Sequence, residues 1–306
     1  MALNENARAA LYMIVAMAGF VLSDTVTKIA TATINPGQIM FVRGLFATVL
    51  LALMAWRAGA LQLTLLRLDK FVALRIVTEM AATITFLSAI AHLPLANISA
   101  ILQALPLAIT VGAAIVFRDR VGWRRWTAIA VGFTGVLIVV RPGVQGFNEY
   151  SVLALVSVLF CTVRDLATRK VPRSIPTLFV STVTSLSVCL LGLATLVPLG
   201  GWTPMPARLV AELFGGAVML VIGYQFIIAA TRTGDISFVA PFRYTSLPWA
   251  ILLGMIFFGD VPDLATLVGA AIIIASGLYM LYRERKLRRS TPVIQSTGPG
   301  MAPDGA

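Results

Sequence analysis

Charged residues are scarce in this sequence. Asp, Glu, Lys and Arg together make up 12% of its 306 residues, whereas hydrophobic residues make up 58%. A soluble domain typically has about twice that charged fraction, and so few polar groups cannot cover a water-exposed surface. A membrane-spanning helix needs roughly 20 apolar residues, so the chain has room for about ten spans. This composition excludes a separate soluble catalytic domain.

Histidine and cysteine are also scarce, with one His and two Cys. That set cannot build the usual all-protein zinc site. Cys161 and Cys189 both lie in apolar runs, where we expect small core residues rather than a disulfide. The sequence contains no Walker motif, no HExxH and no GxSxG. We therefore expect no metal, no cofactor, no ATP-driven step and no enzymatic activity.

Long apolar runs separated by short turns account for most of the chain. They predict an all-α membrane protein with ten transmembrane helices. The Pro- and Gly-rich segment 290–306 is predicted to be a disordered tail. The predicted spans lie near 9–30, 36–56, 72–92, 95–117, 122–140, 150–168, 175–197, 207–230, 236–258 and 263–282.

Basic residues exceed acidic ones, giving a net charge of +11. In a soluble protein this would suggest nucleic acid, but no binding motif accompanies the charge. If both termini are cytoplasmic, 18 of the 24 Lys and Arg residues fall in cytoplasmic loops, at cytoplasmic span ends or in the terminal segments. Cytoplasmic loops carry such an excess, so the sequence predicts a chain with both termini inside.

The two halves of the chain resemble one another. The segment 24–28, Asp-Thr-Val-Thr-Lys, recurs as Asp-Leu-Ala-Thr-Arg at 165–169, an offset of 141. Because each half has five predicted spans, the second half would enter the membrane from the opposite side. Inverted repeats of this kind are typical of secondary transporters. We therefore predict a first repeat at 1–143 and a second, inverted repeat at 144–289. Further matches at an offset of 142 pair Pro106, Gly112 and Gly135 with Pro248, Gly254 and Gly277.

Several local motifs are arranged alike in the two halves. The motifs of the first half are Pro36 and Arg43, Ala96 to Leu107, Phe117 to Arg120, Gly132, Gly135 and Arg141-Pro142. Those of the second half are Asp235 to Ser237, Pro248, Phe258 to Asp260 and Gly277. This layout over residues 9–283 resembles the drug/metabolite transporter superfamily, specifically its ten-span EamA-type members. Asp119 and Asp260 stand where that family often has Glu, and the second half lacks an Arg matching Arg43.

That resemblance implies a fold and a function. The fold would be a basket in which spans 1–4 and 6–9 surround a central cavity and spans 5 and 10 are peripheral. Glycine spacing agrees, because Gly132 and Gly135 in span 5, like Gly269 and Gly277 in span 10, suit close helix packing more than a pore lining. Among known members the chain is most similar to the YddG-type amino-acid exporters. The resemblance thus implies export of aromatic or neutral amino acids across the cytoplasmic (inner) membrane of a bacterium, with the bilayer and a small molecule as partners. We expect a monomer, with an oligomer as the alternative.

Ionisable side chains at membrane depth are costly and need a partner or a task. Asp24 and Lys28 are four residues apart on one predicted helix, and Asp165 and Arg169 repeat this spacing. One interpretation is a pair of intrahelical ion pairs, with Lys28 and Arg169 reaching towards opposite interfaces. The other is that the four residues act in gating or in proton coupling.

Glu79 is predicted to lie about a third of the way into span 3. It could pair with Arg75, four residues earlier, or bind a solute ammonium or a coupling proton. Arg43 and Arg243 lie comparably deep in spans 2 and 9, and a guanidinium binds a carboxylate in bidentate fashion. Either could hold the acid group of a solute, or instead neutralise Glu79 or Asp165 or bond helix carbonyls.

Neutral polar and aromatic side chains complete the candidate site, although aromatics in such spans often serve packing alone. Proline frees backbone carbonyls where backbone lines a cavity, so the prolines of spans 4 and 9 are candidate hinges. The further candidates are Phe86, Gln103, Tyr224, Gln225, Phe242 and Tyr244 for binding, with Pro106, Pro241 and Pro248 as hinges.

The leading hypothesis is therefore a secondary transporter that works by alternating access at a central cavity. An exporter of multiple drugs or cationic metabolites is the alternative in the same class, with Glu79 and aromatic rings holding a cation. A channel would need a charged or carbonyl-lined filter, and an intramembrane enzyme a nucleophile and base. Neither pattern is found in the sequence.

Overall fold

A computed structural model describes residues 5–61, 69–118, 122–141, 148–172, 174–233 and 236–287. Within these ranges the regular structure is helical, without a β-strand. The predicted boundary at 143/144, the motif residues Asp119 and Asp235 and the segment 290–306 lie outside them. The helices are α1 (Glu5–Thr31), α2 (Pro36–Arg57), α3 (Lys70–Ile90), α4 (Leu95–Leu102), α5 (Leu105–Val116), α6 (Trp123–Val140), α7 (Tyr150–Thr168), α8 (Thr177–Leu196), α9 (Ala207–Thr233), α10 (Ile236–Val239), α11 (Ser246–Phe258) and α12 (Leu264–Leu287).

Short polar residues start several of these helices. The Asn35 side chain accepts a hydrogen bond from the backbone N–H of Gln38, and Pro36 occupies the first turn of α2. Asp69 caps α3 by accepting from the N–H of Phe71. Such caps satisfy backbone donors that have no partner within the helix. They explain why the helices begin close to the predicted turns.

Nine helical stretches in the described part of the chain are long and apolar enough to cross a membrane. They match nine of the ten predicted spans, with α4 and α5 together forming one stretch, Leu95–Val116. The ninth predicted span is not a single uninterrupted helix. Residues 236–258 form α10, a 3₁₀ helix (Ala240–Thr245) and α11. Pro241 and Pro248 explain the breaks, because proline removes a backbone donor and clashes with the preceding helical turn.

The long helices pack in pairs drawn from the two parts of the chain. α1 packs on α9, α2 on α8, α3 on α7, and α6 on α12, while α4 contacts α11. Many large apolar side chains on the outer surface remain exposed, including Val49, Ile115, Leu190 and Trp56. Exposed apolar surface of this extent is costly in water and suits contact with lipid. The chain is therefore an integral membrane protein.

Glycines allow a close helix contact between α6 and α12. A Cβ added at Gly135 would lie 2.7 Å from the carbonyl oxygen of Gly269, and the reverse distance is also 2.7 Å. No residue with a side chain fits at such a separation, so the two backbones approach each other because both positions are glycine. The prediction that Gly132, Gly135, Gly269 and Gly277 serve helix packing is thereby confirmed.

Candidate functional site

A cavity lies between four helices at membrane depth. α2 and α3 come from the first half of the chain, and α8 and α9 from the second. Together with the open space at its mouth, the cavity has about 620 Å³ of atom-free volume. Aliphatic side chains such as Met40 and Leu220 form much of its wall. Its polar lining consists of Arg43, Arg75, Glu79, Thr83, Ser181, Thr184, Ser185 and Tyr224.

A buried ion cluster lies at one side of this cavity. Arg164 on α7 donates from Nη1 to Oε2 of Glu79 on α3, at 3.0 Å, and from Nε and Nη2 to Oδ1 of Asp165, both at 2.7 Å. All three side chains have no exposed surface. The interpretation that pairs Glu79 with Arg75 was therefore wrong. The carboxylate pairs across the helix interface, with an arginine on α7.

Arg75 belongs to the same region but makes a different contact. Its Nη1 donates to Oγ1 of Thr168 on α7 at 2.8 Å, and its side chain is 1% exposed. Its Nε is a buried donor without a hydrogen-bond partner among the described residues, as is the hydroxyl of Thr83. Both side chains line the cavity. The cavity wall therefore presents buried polar atoms whose hydrogen bonding is incomplete.

Arg43 connects the cavity to α1. Its Nη1 donates to the hydroxyls of Thr27 at 2.8 Å and Ser23 at 3.4 Å. It also attracts the half-buried carboxylate of Asp24 electrostatically. Within the described chain its hydrogen bonds go to hydroxyl groups rather than to Glu79, Asp165 or helix carbonyls. The guanidinium is therefore held at the cavity wall by hydroxyl groups of α1.

Tyr224 completes the polar lining from α9. Its hydroxyl lies 3.2 Å from that of Ser181 on α8, within hydrogen-bonding distance. The structure thus places three of the predicted binding residues, Arg43, Glu79 and Tyr224, around one cavity.

The remaining binding candidates lie elsewhere. Gln103 donates to the Ser246 hydroxyl at 2.7 Å and ties α4 to the start of α11. Tyr244 is buried against Gly277, so it packs the 3₁₀ helix on α12. None of the outlying candidates is among the residues that line the described cavity. They are Phe86 in an apolar cluster, Gln103, Gln225 on α9, and Phe242, Arg243 and Tyr244 on the 3₁₀ helix.

The interpretation of Asp24–Lys28 and Asp165–Arg169 as intrahelical ion pairs was also wrong. In the described structure Lys28 donates to the carbonyl oxygens of Ile90, at 3.2 Å, and Leu93. Its Nζ lies 5.1 Å from the centre of the Phe258 ring. Asp165 bonds Arg164 instead of Arg169.

Arg169 makes a ring contact of the same kind. Its guanidinium carbon lies 4.8 Å from the centre of the Phe117 ring, just beyond the end of α5. Lys170 approaches the same ring at 5.0 Å. Both cations, Lys28 and Arg169, therefore contact an aromatic ring contributed by the other half of the chain.

The candidate hinges coincide with breaks in the helices. Pro106 is in the first turn of α5, directly after the break at Gln103 and Ala104. Pro241 is in the first turn of the 3₁₀ helix, and Pro248 is in the first turn of α11.

Two arginines of this site were not among the predicted binding residues. Arg164 is one of six basic residues that fall outside the predicted cytoplasmic loops and span ends, and this placement could have singled it out. Arg75 was considered only as a partner of Glu79. The hydroxyls of Thr83, Ser181, Thr184 and Ser185 carry no comparable signal, because Ser and Thr are frequent in membrane helices.

Curated relatives are bacterial transporters. The chain is 29% identical to a riboflavin transporter of Rhizobium johnstonii over 220 residues, which cover 70% of this chain and 71% of that protein. It is 24% identical to an S-adenosylmethionine uptake transporter of Rickettsia prowazekii, over 63% of this chain and 65% of the relative. It is 25% identical to a pseudopaline exporter of Pseudomonas aeruginosa, over 84% and 90%.

A solved crystal structure shares the fold. It superposes with a TM-score of 0.63 at 16% identity, over 90% of this chain and 98% of the other. The model of the EamA-like transporter family matches the sequence twice, at residues 7–141 and 149–282. These two matches together cover most of the 306 residues. The chain therefore belongs to the EamA-like transporter family and is a membrane transporter of small molecules.

Proposed function

We propose that this protein is a secondary transporter that exports small metabolites, with amino acids as the solute class, by alternating access at the cavity between α2, α3, α8 and α9. The observation that carries the proposal is this cavity, which holds buried charges and is lined by two helices from each half of the chain. A site between two repeats near the middle of the membrane is the arrangement that alternating access requires.

The helix packing supports two structurally equivalent halves. If each helix is exchanged with its counterpart in the other half, α1 becomes α7 and α3 becomes α9. The α1–α9 pair then becomes the α7–α3 pair, which is also present. The α2–α8 and α6–α12 pairs are unchanged by the exchange. Two halves packed in this way can exchange conformations, which is how an inverted repeat produces inward- and outward-open states.

The two cation–ring contacts support a gating role for Lys28 and Arg169. The cations are 141 residues apart in the sequence, and so are the rings of Phe117 and Phe258. The residues after the two rings, Arg118 and Gly259, both have left-handed backbone, with φ of 55° and 67°. In an inverted repeat the two contacts lie at opposite faces of the membrane. They would then act as an outer and an inner gate.

The charges at the cavity favour a solute that carries an acid group. Arg43 and Arg75 line the cavity, whereas Glu79 is already held by Arg164. Hydroxyls of Thr83 and Tyr224 could bind an amino group or other neutral polar groups. A purely cationic solute would have to compete with Arg164 for Glu79. An exporter of cationic metabolites is therefore less well supported than an amino-acid exporter.

Riboflavin transport is the second candidate, because the Rhizobium relative bears that name. Riboflavin combines a planar aromatic ring system with a polyhydroxyl chain and has no acid group. The hydroxyls of the cavity suit the polyhydroxyl chain, but Tyr224 is the one aromatic side chain in its described lining. Competition by riboflavin against amino-acid exchange separates the two candidates.

Counterflow in proteoliposomes tests the proposal. Vesicles are loaded with unlabelled phenylalanine or leucine, and labelled tracer is added outside, with and without a pH gradient. Transient accumulation of tracer, competed by other neutral amino acids, is the expected result. Accumulation of labelled riboflavin alone in matched vesicles would favour the second candidate. If no amino acid accumulates with correctly folded protein, amino-acid transport is wrong.

The proposed membrane orientation has its own test. With both termini cytoplasmic, a fluorescent protein fused after Ala306 folds and fluoresces, whereas alkaline phosphatase fused there stays inactive. Active phosphatase would place the carboxyl end on the outer side and reverse the orientation. Phosphatase fused in the segment between α6 and α7, on the predicted outer side, is the matched positive control.

A further inference from the structure

The structure points to Arg75 as the anchor for the acid group of the solute. We infer that a carboxylate binds the side-on edge of its guanidinium, formed by Nε and one Nη, in the cavity between α2, α3, α8 and α9. This inference rests on the proposed function, because it assigns one end of the transported molecule to one side chain.

The first support is the incomplete hydrogen bonding of Arg75. One Nη donates to Thr168, and Nε has no hydrogen-bond partner among the described residues although it is fully buried. Guanidinium groups bind carboxylates through two parallel N–H donors, and Nε belongs to one such edge. Arg75 therefore keeps part of this edge for a group that enters the cavity.

The second support is that the neighbouring carboxylate is held by another residue. Glu79 lies one helical turn after Arg75 and would be its ordinary partner. In the structure its Oε2 accepts from Arg164 at 3.0 Å, and Arg164 also bonds Asp165. The ion cluster thus provides Glu79 with a hydrogen-bonded cation from α7. Glu79 and Asp165 still attract the Arg75 guanidinium electrostatically, but Nε of this cavity-lining residue makes no hydrogen bond to either within the described residues.

The surroundings of Arg75 suit a small organic acid. Tyr224 lines the same cavity as Arg75, and its ring hydroxyl lies 3.2 Å from the Ser181 hydroxyl. Thr83, two turns further along α3, adds a buried hydroxyl with no hydrogen-bond partner in the described structure. By helical rise the two positions are about 12 Å apart, so a solute anchored at Arg75 extends along α3 towards Thr83.

Charge balance favours a singly charged group. The buried charged side chains of the described chain are three arginines and two carboxylates. Two half-buried groups at this cluster, Asp24 near Arg43 and Arg243 near Asp165, have opposite charges and offset each other. One carboxylate neutralises the remaining positive charge, whereas a dianionic phosphate would leave an excess negative charge. The set is Arg43, Arg75, Arg164, Glu79 and Asp165.

Exchange kinetics with matched solutes test the assignment. Phenylalanine carries the acid group and phenylalanine amide lacks it. We expect Arg75→Gln to raise the KM for phenylalanine by about tenfold or more and to leave exchange of the amide within about twofold. Arg75→Lys keeps the charge but not the side-on edge, so it should recover less than half of the lost affinity. Arg208→Gln, at an exposed surface pair, is the control.

Other outcomes would overturn the assignment. A merely structural role predicts that Arg75→Gln slows phenylalanine and its amide equally, without a change in selectivity. An unchanged KM for phenylalanine in Arg75→Gln would also contradict the assignment. So would a preference for phenyl phosphate over phenylalanine that is lost when Arg75 is replaced. If wild-type protein exchanges no amino acid, the proposed function is wrong, and the subsite is then judged by binding. If phenylalanine or phenylpyruvate stabilises the wild type against thermal unfolding but does not stabilise Arg75→Lys, the Arg75 subsite is retained. If neither compound stabilises the wild type, the subsite is excluded.

Discussion

Glu79 on α3 and Arg164 on α7 form a fully buried salt bridge, with 3.0 Å between Oε2 and Nη1. The two residues are 85 positions apart and belong to different halves of the chain. Arg164 also bonds Asp165, so one guanidinium holds two carboxylates. This bridge connects the wall of the cavity to the packing between the halves.

Loss of Arg164 should destabilise the protein more than loss of Glu79. Arg164→Gln leaves two buried carboxylates without their cation, which costs about 3–5 kcal/mol. Glu79→Gln keeps an acceptor, and Asp165 still pairs with Arg164, so we expect a loss of about 1–3 kcal/mol. Equilibrium unfolding in detergent micelles measures both. Arg208→Gln, whose side chain is 89% exposed, should change stability by less than about 0.5 kcal/mol. Equal losses for the two buried variants would contradict the shared-cation arrangement.

The two cation–ring contacts should control access from opposite sides. Lys28→Met and Phe258→Leu remove one contact, and Arg169→Met and Phe117→Leu remove the other. A cation–π contact is worth about 0.5–2 kcal/mol. Removing one contact should therefore raise the ratio of open to closed protein at that gate by about two- to thirtyfold. The readout is labelling of a cysteine at Ser185 by an impermeant maleimide, with Cys161 and Cys189 changed to Ala. Loss of one contact should raise labelling in right-side-out vesicles, and loss of the other should raise it in inside-out vesicles. If both losses raise labelling in the same vesicle type, the two contacts are not opposed gates.

Larger residues at the α6–α12 contact should destabilise the fold without changing solute affinity. Gly135→Val places new atoms against the backbone of Gly269, where a Cβ alone already lies 2.7 Å from a carbonyl oxygen. Overpacking of this kind costs about 1–3 kcal/mol. The KM should stay unchanged, because no described residue of α6 or α12 lines the cavity. Gly215→Ala is the matched control: its Cβ meets nothing within 4 Å, and it should be neutral or stabilise α9 by up to about 1 kcal/mol. A raised KM in Gly135→Val would connect α6 to the site.

Asp263 should give a small acid-dependent contribution to stability. It caps α12, and the hydroxyl and backbone N–H of Thr266, followed by Arg141, lower the pKa of its carboxyl from 3.8 to about 2. Because the folded pKa is the lower one, the stabilisation is complete above about pH 4 and is lost as the pH falls towards 2. The side chain is 53% exposed, so screening keeps the electrostatic part below about 1 kcal/mol.

Asp263→Asn keeps a capping acceptor and removes the charge. Its melting temperature should lie slightly below that of the wild type from pH 8 to pH 5, and the two curves should converge below pH 4. Asp263→Ala also removes the cap and should cost about 0.5–2 kcal/mol at every pH. A constant difference between the wild type and Asp263→Asn down to pH 2 would contradict the lowered pKa.

The helices could be predicted from the sequence because apolar length decides them. In a membrane, an apolar run of about 20 residues satisfies its backbone only as a helix, and nine such stretches were confirmed. The glycine contacts were predicted for the same local reason, since only small residues permit close helix approach. The prolines of the ninth span were predicted as hinges, but its division into three helical segments was not predicted. Its prolines are visible, but whether they kink a helix or divide it depends on neighbours such as Gln103, which bonds Ser246.

Local spacing determined which ionisable residues needed a partner, and it failed to determine which partner they would have. Glu79 has Arg75 one turn away, yet pairs with Arg164; Lys28 has Asp24 one turn away, yet caps α3 and contacts Phe258. Residues on one helix are adjacent by geometry, but buried ionic groups bond wherever desolvated partners meet with good alignment. The sequence by itself determined the spans, the residues that permit close packing and the need to satisfy each buried charge. Only the packing of α3 on α7 and α2 on α8 decided which charges meet and which face the cavity, because those contacts join residues far apart in the chain.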